Sequence, residues 1–164
     1  MREYFEKISK ELFKNISRNQ TLIVNFDAEE STFIRLNKAK IRQAGNVMQI
    51  SVALSLLNKE KRNLKSSVRL NGSFDRDISI LIKTLNYLKR ELPDLPKDPY
   101  LMYSNTIHST SVSEDKSSID DREIIDYIIS SAQGLDLVGI YSSGYIYSGF
   151  ANSLGQINWH SNFS

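Results

Sequence analysis

His108 and His160 are the only imidazoles in the 164 residues, and cysteine is absent. The two histidines stand far apart. No HExxH or HExxxH spacing, which would set two imidazoles on one helix face around a zinc ion, can be drawn. A thiolate zinc site, a cysteine nucleophile and a disulfide framework are excluded with the cysteines. Each histidine reads as a surface or hydrogen-bonded residue, His160 beside Trp159 being better placed for an outside role. The carboxylates Asp120, Asp121, Glu123 and Asp126 crowd a helix start, where negative charge complements the helix dipole, and Asp75 and Asp77 read the same way. No G-x-S-x-G elbow, G-x-x-x-x-G-K-[ST] loop or G-x-G-x-x-G turn is present. Neither a catalytic residue nor a metal ligand is assigned.

The chemistry that remains is recognition. In the run Tyr141 to Phe150, Tyr145 and Tyr147 share a face at a period of two. Tyrosines on one sheet face can hold an extended peptide by stacking and hydroxyl contacts, or simply pack across strands. Between positions 35 and 69, nine cations (Arg35, Lys38, Lys40, Arg42, Lys59, Lys61, Arg62, Lys65 and Arg69) face one acid, Glu60, although the whole chain carries only +2. Such a segment suits an acidic partner face, substrate carboxylates or nucleic acid. It also fits a solvated sheet face neutralised by acidic helices nearby. Nucleic-acid-binding domains usually carry their basic excess over the whole domain, so that reading is the alternative one.

The elements that must position these residues are legible in outline. With 40% hydrophobic and 24% charged residues the chain is globular in composition. No apolar run approaches the ~18 residues of a membrane span, so no membrane partner is expected. The start, Met1 to Lys7, is too charged for a secretory signal. With cysteine missing, the expected setting is cytoplasmic. Tyr4, Phe5, Ile8, Leu12, Phe13 and Ile16 make one apolar stripe and predict a helix over about 2–18. Thr21 to Phe26 reads as a strand. Thr32 to Leu36 and Lys40 to Gln43 read as one strand broken near Asn37, or two short ones. Met48, Ile50, Val52, Leu54 and Leu56 alternate with Val47, Gln49, Ser51, Ala53 and Ser55, which predicts one buried and one wetter face. Leu64 to Leu70 continues the pattern as an antiparallel partner.

A second helix is predicted at 74–91, with Ser73 able to cap it and Pro93 to stop it. All three prolines lie in 93–99, which should end that helix and run extended. This segment divides the chain into lobes of about 1–92 and 100–164. Residues 104–118 read as a loop. A third helix spans about 121–133, with Asp120 as cap, Glu123 completing a capping box and Gly134 after its last turn. Leu137 to Tyr141, Tyr145 to Phe150 and Gln156 to Trp159 read as strands, the last two joined by a turn at Asn152-Ser153-Leu154-Gly155. The crowding of glycines in the tail fits turns and close strand approaches. The expected fold class is α+β, a mainly antiparallel sheet with about three helices packed on it.

Two stretches resemble a known family. Phe33-Ile34-Arg35-Leu36-Asn37 with Lys40-Ile41-Arg42-Gln43-Ala44-Gly45-Asn46-Val47 resembles the early strand pair of the TldD/PmbA proteins, the metallopeptidase family once labelled modulators of DNA gyrase. Gly149-Phe150-Ala151-Asn152-Ser153-Leu154-Gly155-Gln156 is similar to that family's hairpin, in which Asn-Ser-x-Gly makes the turn. Ala132 to Asp136 and the proline segment fit the same resemblance. It implies a single N-terminal, noncatalytic domain, 1–164, of a longer intracellular protein. In that family the zinc motif His-Glu-x-x-x-His lies in a C-terminal domain of the active subunit, and an inactive subunit type pairs with it. Zinc would then belong only to an absent C-terminal domain or a partner subunit. None of the family's metal ligands has a matching position here, so no cofactor is expected in this chain. The implied partners are the C-terminal domain, a homo- or heterodimeric subunit of the same family, and unfolded peptides admitted to a chamber. Arg35, Arg42, Gln43, Tyr145, Tyr147 and Asn152 are the candidate peptide- or partner-contact residues.

Overall fold

Short-range pattern accounts for most elements of the computed structural model, which describes residues 1–114 and 120–164. In chain order they are α1 (Arg2–Phe13), β1 (Gln20–Asn37), β2 (Lys40–Asn58), β3 (Asn63–Leu70), α2 (Phe74–Glu91), β4 (Thr110–Ser113), α3 (Asp121–Ser131), β5 (Val138–Asn152) and β6 (Ile157–Phe163). The strands form one sheet in the order β3-β2-β1-β5-β6-β4, mostly antiparallel, and the fold is α+β.

The β2–β3 ladder runs without a break from Ile50↔Leu70 to Leu57↔Asn63. Ile50, Val52, Leu54 and Leu56 are buried, as the alternation requires. Met48 departs from it and is 56% exposed. Helices α1 and α2 supply the apolar cover for the segment from Ile50 onward, and the core cluster ends there. Helix α2 keeps its predicted bounds. Leu81, Leu85 and Leu88 are fully buried, each burial contributing roughly 1.5–3 kcal/mol.

Helix α1 is shorter than its stripe suggests. Asn15 ends it: its side-chain amide donates to the Glu11 carbonyl, and the Asn15 and Ile16 N–H groups turn to Leu12 and Phe13, three residues back. Ile16 still packs on the core from outside the helix. After α2 the chain makes a 3-10 turn, Leu92–Asp94, before it extends at Leu95, so the proline segment begins tighter than expected.

Strands β1, β2 and β5 are longer than the local pattern indicates. Asp27 to Ser31 and Ser142 to Gly144 have weak strand propensity, yet they lie in β1 and β5, which have a strand on each side in the sheet order. Residues 110–113 form edge strand β4 inside the expected loop, and 115–118 of that loop lie outside the described residues.

Two compact units divide the chain. Unit 1 comprises Met1–Ala28, Gln49–Val112 and Tyr147–His160, and so contains the proline segment; unit 2 comprises Glu29–Met48, Ser113–Ile146 and Ser161–Ser164. In unit 1, Phe5, Ile8 and Leu12 of α1 meet Leu22, Val24 and Phe26 of β1 and the leucines of α2. Asp77 lies fully buried within it. Its carboxylate accepts the N–H groups of Asn71 (3.2 Å) and Gly72 (2.9 Å) and the Tyr4 hydroxyl (2.5 Å), tying β3, α2 and α1 together. Ser73 holds the N-cap position without a side-chain cap bond, so the buried Asp77 carboxylate, not a cap hydroxyl, satisfies the entry to α2. Burial, and then the bond to Asp77, push the Tyr4 hydroxyl well above its ordinary pKa.

Candidate peptide-contact and partner-contact surfaces

The turn between β1 and β2 consists of Lys38 and Ala39, with φ of 51° and 53°. Left-handed geometry at both central residues is what a two-residue hairpin of matched twist demands. The turn presents cations outward: Arg35, Lys38, Lys40 and Arg42 are all exposed, as is Gln43. This hairpin lies in unit 2. In unit 1 the β2–β3 turn and β3 expose Lys59, Lys61, Lys65 and Arg69, while Arg62 is held by Glu60 and by the Leu95 carbonyl (2.7 Å). Among the described residues, the ion pair within 35–69 is internal, Arg62 with Glu60.

The acidic helix start has structural duties. Asp120 caps α3 by accepting from the Arg122 N–H (2.8 Å). Asp121 accepts the hydroxyls of Tyr141 (3.0 Å) and Ser143 (2.9 Å) and thereby ties α3 to β5. Strand β5 alternates sharply. A Cβ at Gly144 would collide with the Glu30 carbonyl and the Ser31 Cα, so β5 needs glycine there to lie beside β1. Gly149 answers to the same rule against the Phe5 ring (2.9 Å). Tyr145 sits edge-on to Phe163 at 5.0 Å, and Tyr147 stacks on Trp159 at 5.9 Å. Both tyrosines are half-buried. The face they leave outward is apolar in unit 2: Val138 and Ile140 are each 68% exposed and Ile146 is 55% exposed. Sequence reasoning did not single out this row, although its period of two was readable.

Asn152 is buried and works on its own turn. Its Oδ1 accepts from the N–H groups of Leu154 (3.0 Å) and Gln156 (3.1 Å). Ser153 locks the turn to β1, its Oγ accepting from the Leu22 N–H (3.0 Å) and its N–H donating to the Leu22 carbonyl (2.9 Å). Gly155 closes it at φ +108°. Each residue of Asn-Ser-x-Gly thus has a backbone reason. Of the six candidates, Arg35, Arg42, Gln43 and Tyr145 belong to unit 2, and Tyr147 and Asn152 to unit 1.

Unit 1 also holds an open cleft of about 330 Å³, whose polar lining includes Asp27, Thr110, Ser148, Asn158 and His160. Both Asp27 and His160 are exposed there. His108 is exposed, and its carbonyl accepts from Asn158 (3.0 Å). Among the described residues no three His, Asp or Glu side chains come together as a metal would require, and no helix is long and apolar enough to cross a membrane.

Two solved structures share this fold. One is a candidate modulator of a DNA gyrase from Thermotoga maritima MSB8, with a TM-score of 0.57 at 11% identity over 99% of this chain. The other is TldE from Thermococcus kodakarensis, with a TM-score of 0.54 at 8% identity over 96% of this chain. In each case the match spans 37% of the other chain's length. No family model and no curated protein matches the chain in sequence. At such identities the likeness is one of fold, and it is the fold of proteins that the sequence motifs resemble.

Proposed function

We propose that this chain serves as a noncatalytic N-terminal domain of a TldD/PmbA-type protein, shaping a chamber that admits unfolded peptides and contributing subunit contacts. The observation that carries this reading is the fold likeness, which takes in 99% of the chain and 37% of the gyrase-modulator structure. The outward pair Val138 and Ile140, with Ile146 further along β5, supports the contact role, because exposed apolar side chains on one strand face offer a place where another surface can dock. In this reading zinc belongs to a C-terminal domain or to a partner subunit, and the chain itself breaks no bond.

The test uses a fluorescent reporter polypeptide in unfolded and folded forms. The chain should bind the unfolded form and leave it intact. Cleavage that a chelator abolishes would defeat the noncatalytic reading, and equal affinity for both forms would defeat the peptide-handling one. A second reading, a nucleic-acid-binding module using the basic segment 35–69, is favoured within unit 1 by the exposed cations Lys65 and Arg69, which have no ion pair among the described residues. It predicts duplex binding that weakens steeply with salt, with a log–log slope of about −0.9 per phosphate contact. A flat isotherm at low salt eliminates it.

A further inference from the structure

We infer that the free edge of β3 captures an extended acidic segment of another polypeptide as an added β-strand. β3 ends the sheet order, and its ladder partner is β2. Among the described residues no backbone hydrogen bond outside that ladder reaches Asn63 to Leu70. In an antiparallel edge strand every second residue therefore turns its N–H and C=O outward. The edge has few of the devices that blunt such a template: the ladder has no bulge, and the strand has no proline or glycine across eight residues.

What it has is charge. Lys65, Ser67 and Arg69 stand exposed on one face, with Lys65 and Arg69 about 13 Å apart at the usual rise per residue. Neither makes an ion pair among the described residues. The opposite face carries half-buried Leu64, Val68 and Leu70, packed against the core of unit 1.

These features select the occupant. A second copy would bring Lys65 and Arg69 against like charges, which opposes edge-to-edge pairing. An added strand with Asp or Glu four residues apart, a small residue between them and apolar residues at the alternate positions satisfies both faces. The row of backbone groups favours a polypeptide over nucleic acid, since phosphates would use the cations and leave the edge unpaired. The inference goes beyond the proposed function and stands independently of it.

Fluorescence anisotropy with the full chain and a short labelled peptide alternating glutamate and valine tests this. Binding should occur, weaken at least tenfold when alternate peptide nitrogens are methylated, and vanish when lysine replaces glutamate. Lys65→Glu with Arg69→Glu, both surface changes whose folding circular dichroism checks, should reverse the preference toward the lysine peptide. Undiminished binding of the methylated peptide would overturn the strand mode. Equally tight displacement by a thymidine oligonucleotide would reassign the surface to phosphate. Concentration-dependent dimers lost in the double variant would assign the edge to a second copy, and no binding at low salt would dismiss the site. None of these results depends on whether an unfolded reporter is bound or cleaved.

Discussion

The two units solve the problem of the interior differently. Unit 1 closes two helices over residues of β1, β2, β3, β5 and β6 and buries an aromatic stack, Phe5, Phe26 and Trp159, among leucines of α1, β2 and α2. Among the described residues unit 2 buries few apolar side chains, Leu36, Ile125 and Ala132, while Ile41, Met48, Tyr127, Leu135, Val138, Ile140 and Ile146 stay outward. Unit 1 stabilises itself through its core. Unit 2 relies on strands it shares in sequence with unit 1 and on polar ties such as Asp121, and it carries the apolar surface to which the partner-contact role is proposed. The difference teaches that length of strand and depth of core are separate properties, since β1, β2 and β5 contribute residues to both units.

The largest effect that would sharpen this contrast is a core deletion. Leu85→Ala should cost about 3–5 kcal/mol in denaturant unfolding, and Ile125→Ala about 2 kcal/mol, the low end for a buried isoleucine, because fewer buried neighbours surround it. Equal losses would erase the distinction. Gly144→Ala should cost about 3 kcal/mol, because the new methyl meets β1 backbone and not a yielding side chain. An unchanged melting temperature would mean that β5 does not need this approach to β1. Tyr4→Phe removes the hydroxyl from Asp77 and should cost about 1–2 kcal/mol at neutral pH. Its pH dependence follows from the raised pKa. The contribution of this hydroxyl is fully present below pH 10.0, the ordinary value, and is lost as pH climbs toward the elevated folded value. Tyr4→Phe should flatten that alkaline limb in unfolding curves taken across pH. Smallest of all, Val138→Ser with Ile140→Ser should move stability by no more than about 0.5 kcal/mol each, since both side chains are outward already. A large loss would show that the row is interior to the fold after all.

Where the sequence spoke clearly, two signals agreed. The β2–β3 hairpin combined alternation with a polar connection, and α2 combined an apolar stripe with a proline stop, so the paired stretch of the hairpin and the helix both emerged where the pattern put them, although β2 extends further toward its start. Where it was silent, turn chemistry was missing or unusual. Lys38-Ala39 carries no glycine or asparagine, so the junction read as a break, although sheet pairing holds both residues at positive φ. The short run Thr110-Ser111-Val112-Ser113, polar but for one valine, has no strand pattern of its own and becomes β4 through β6.

The candidate surfaces were legible to the same depth. Cations at 35, 42, 65 and 69 had to point to water, because burying an unpaired charge is prohibitive. The tyrosines were different. Period two dictated that Tyr145 and Tyr147 share a face, but not that the face would meet Phe163 and Trp159 while Val138, Ile140 and Ile146 turned outward.

What the chain determined by itself was local: amphipathic stripes, strand alternation, the Asn-Ser-x-Gly turn, and the absence of cysteine. What only the tertiary structure decided was which apolar face is covered, where a buried carboxylate such as Asp77 finds its partners, and which strand is left with an open edge. The reason is range. Side-chain period and turn chemistry act over a few residues, whereas cover and edge status depend on strands that meet from far apart in the sequence.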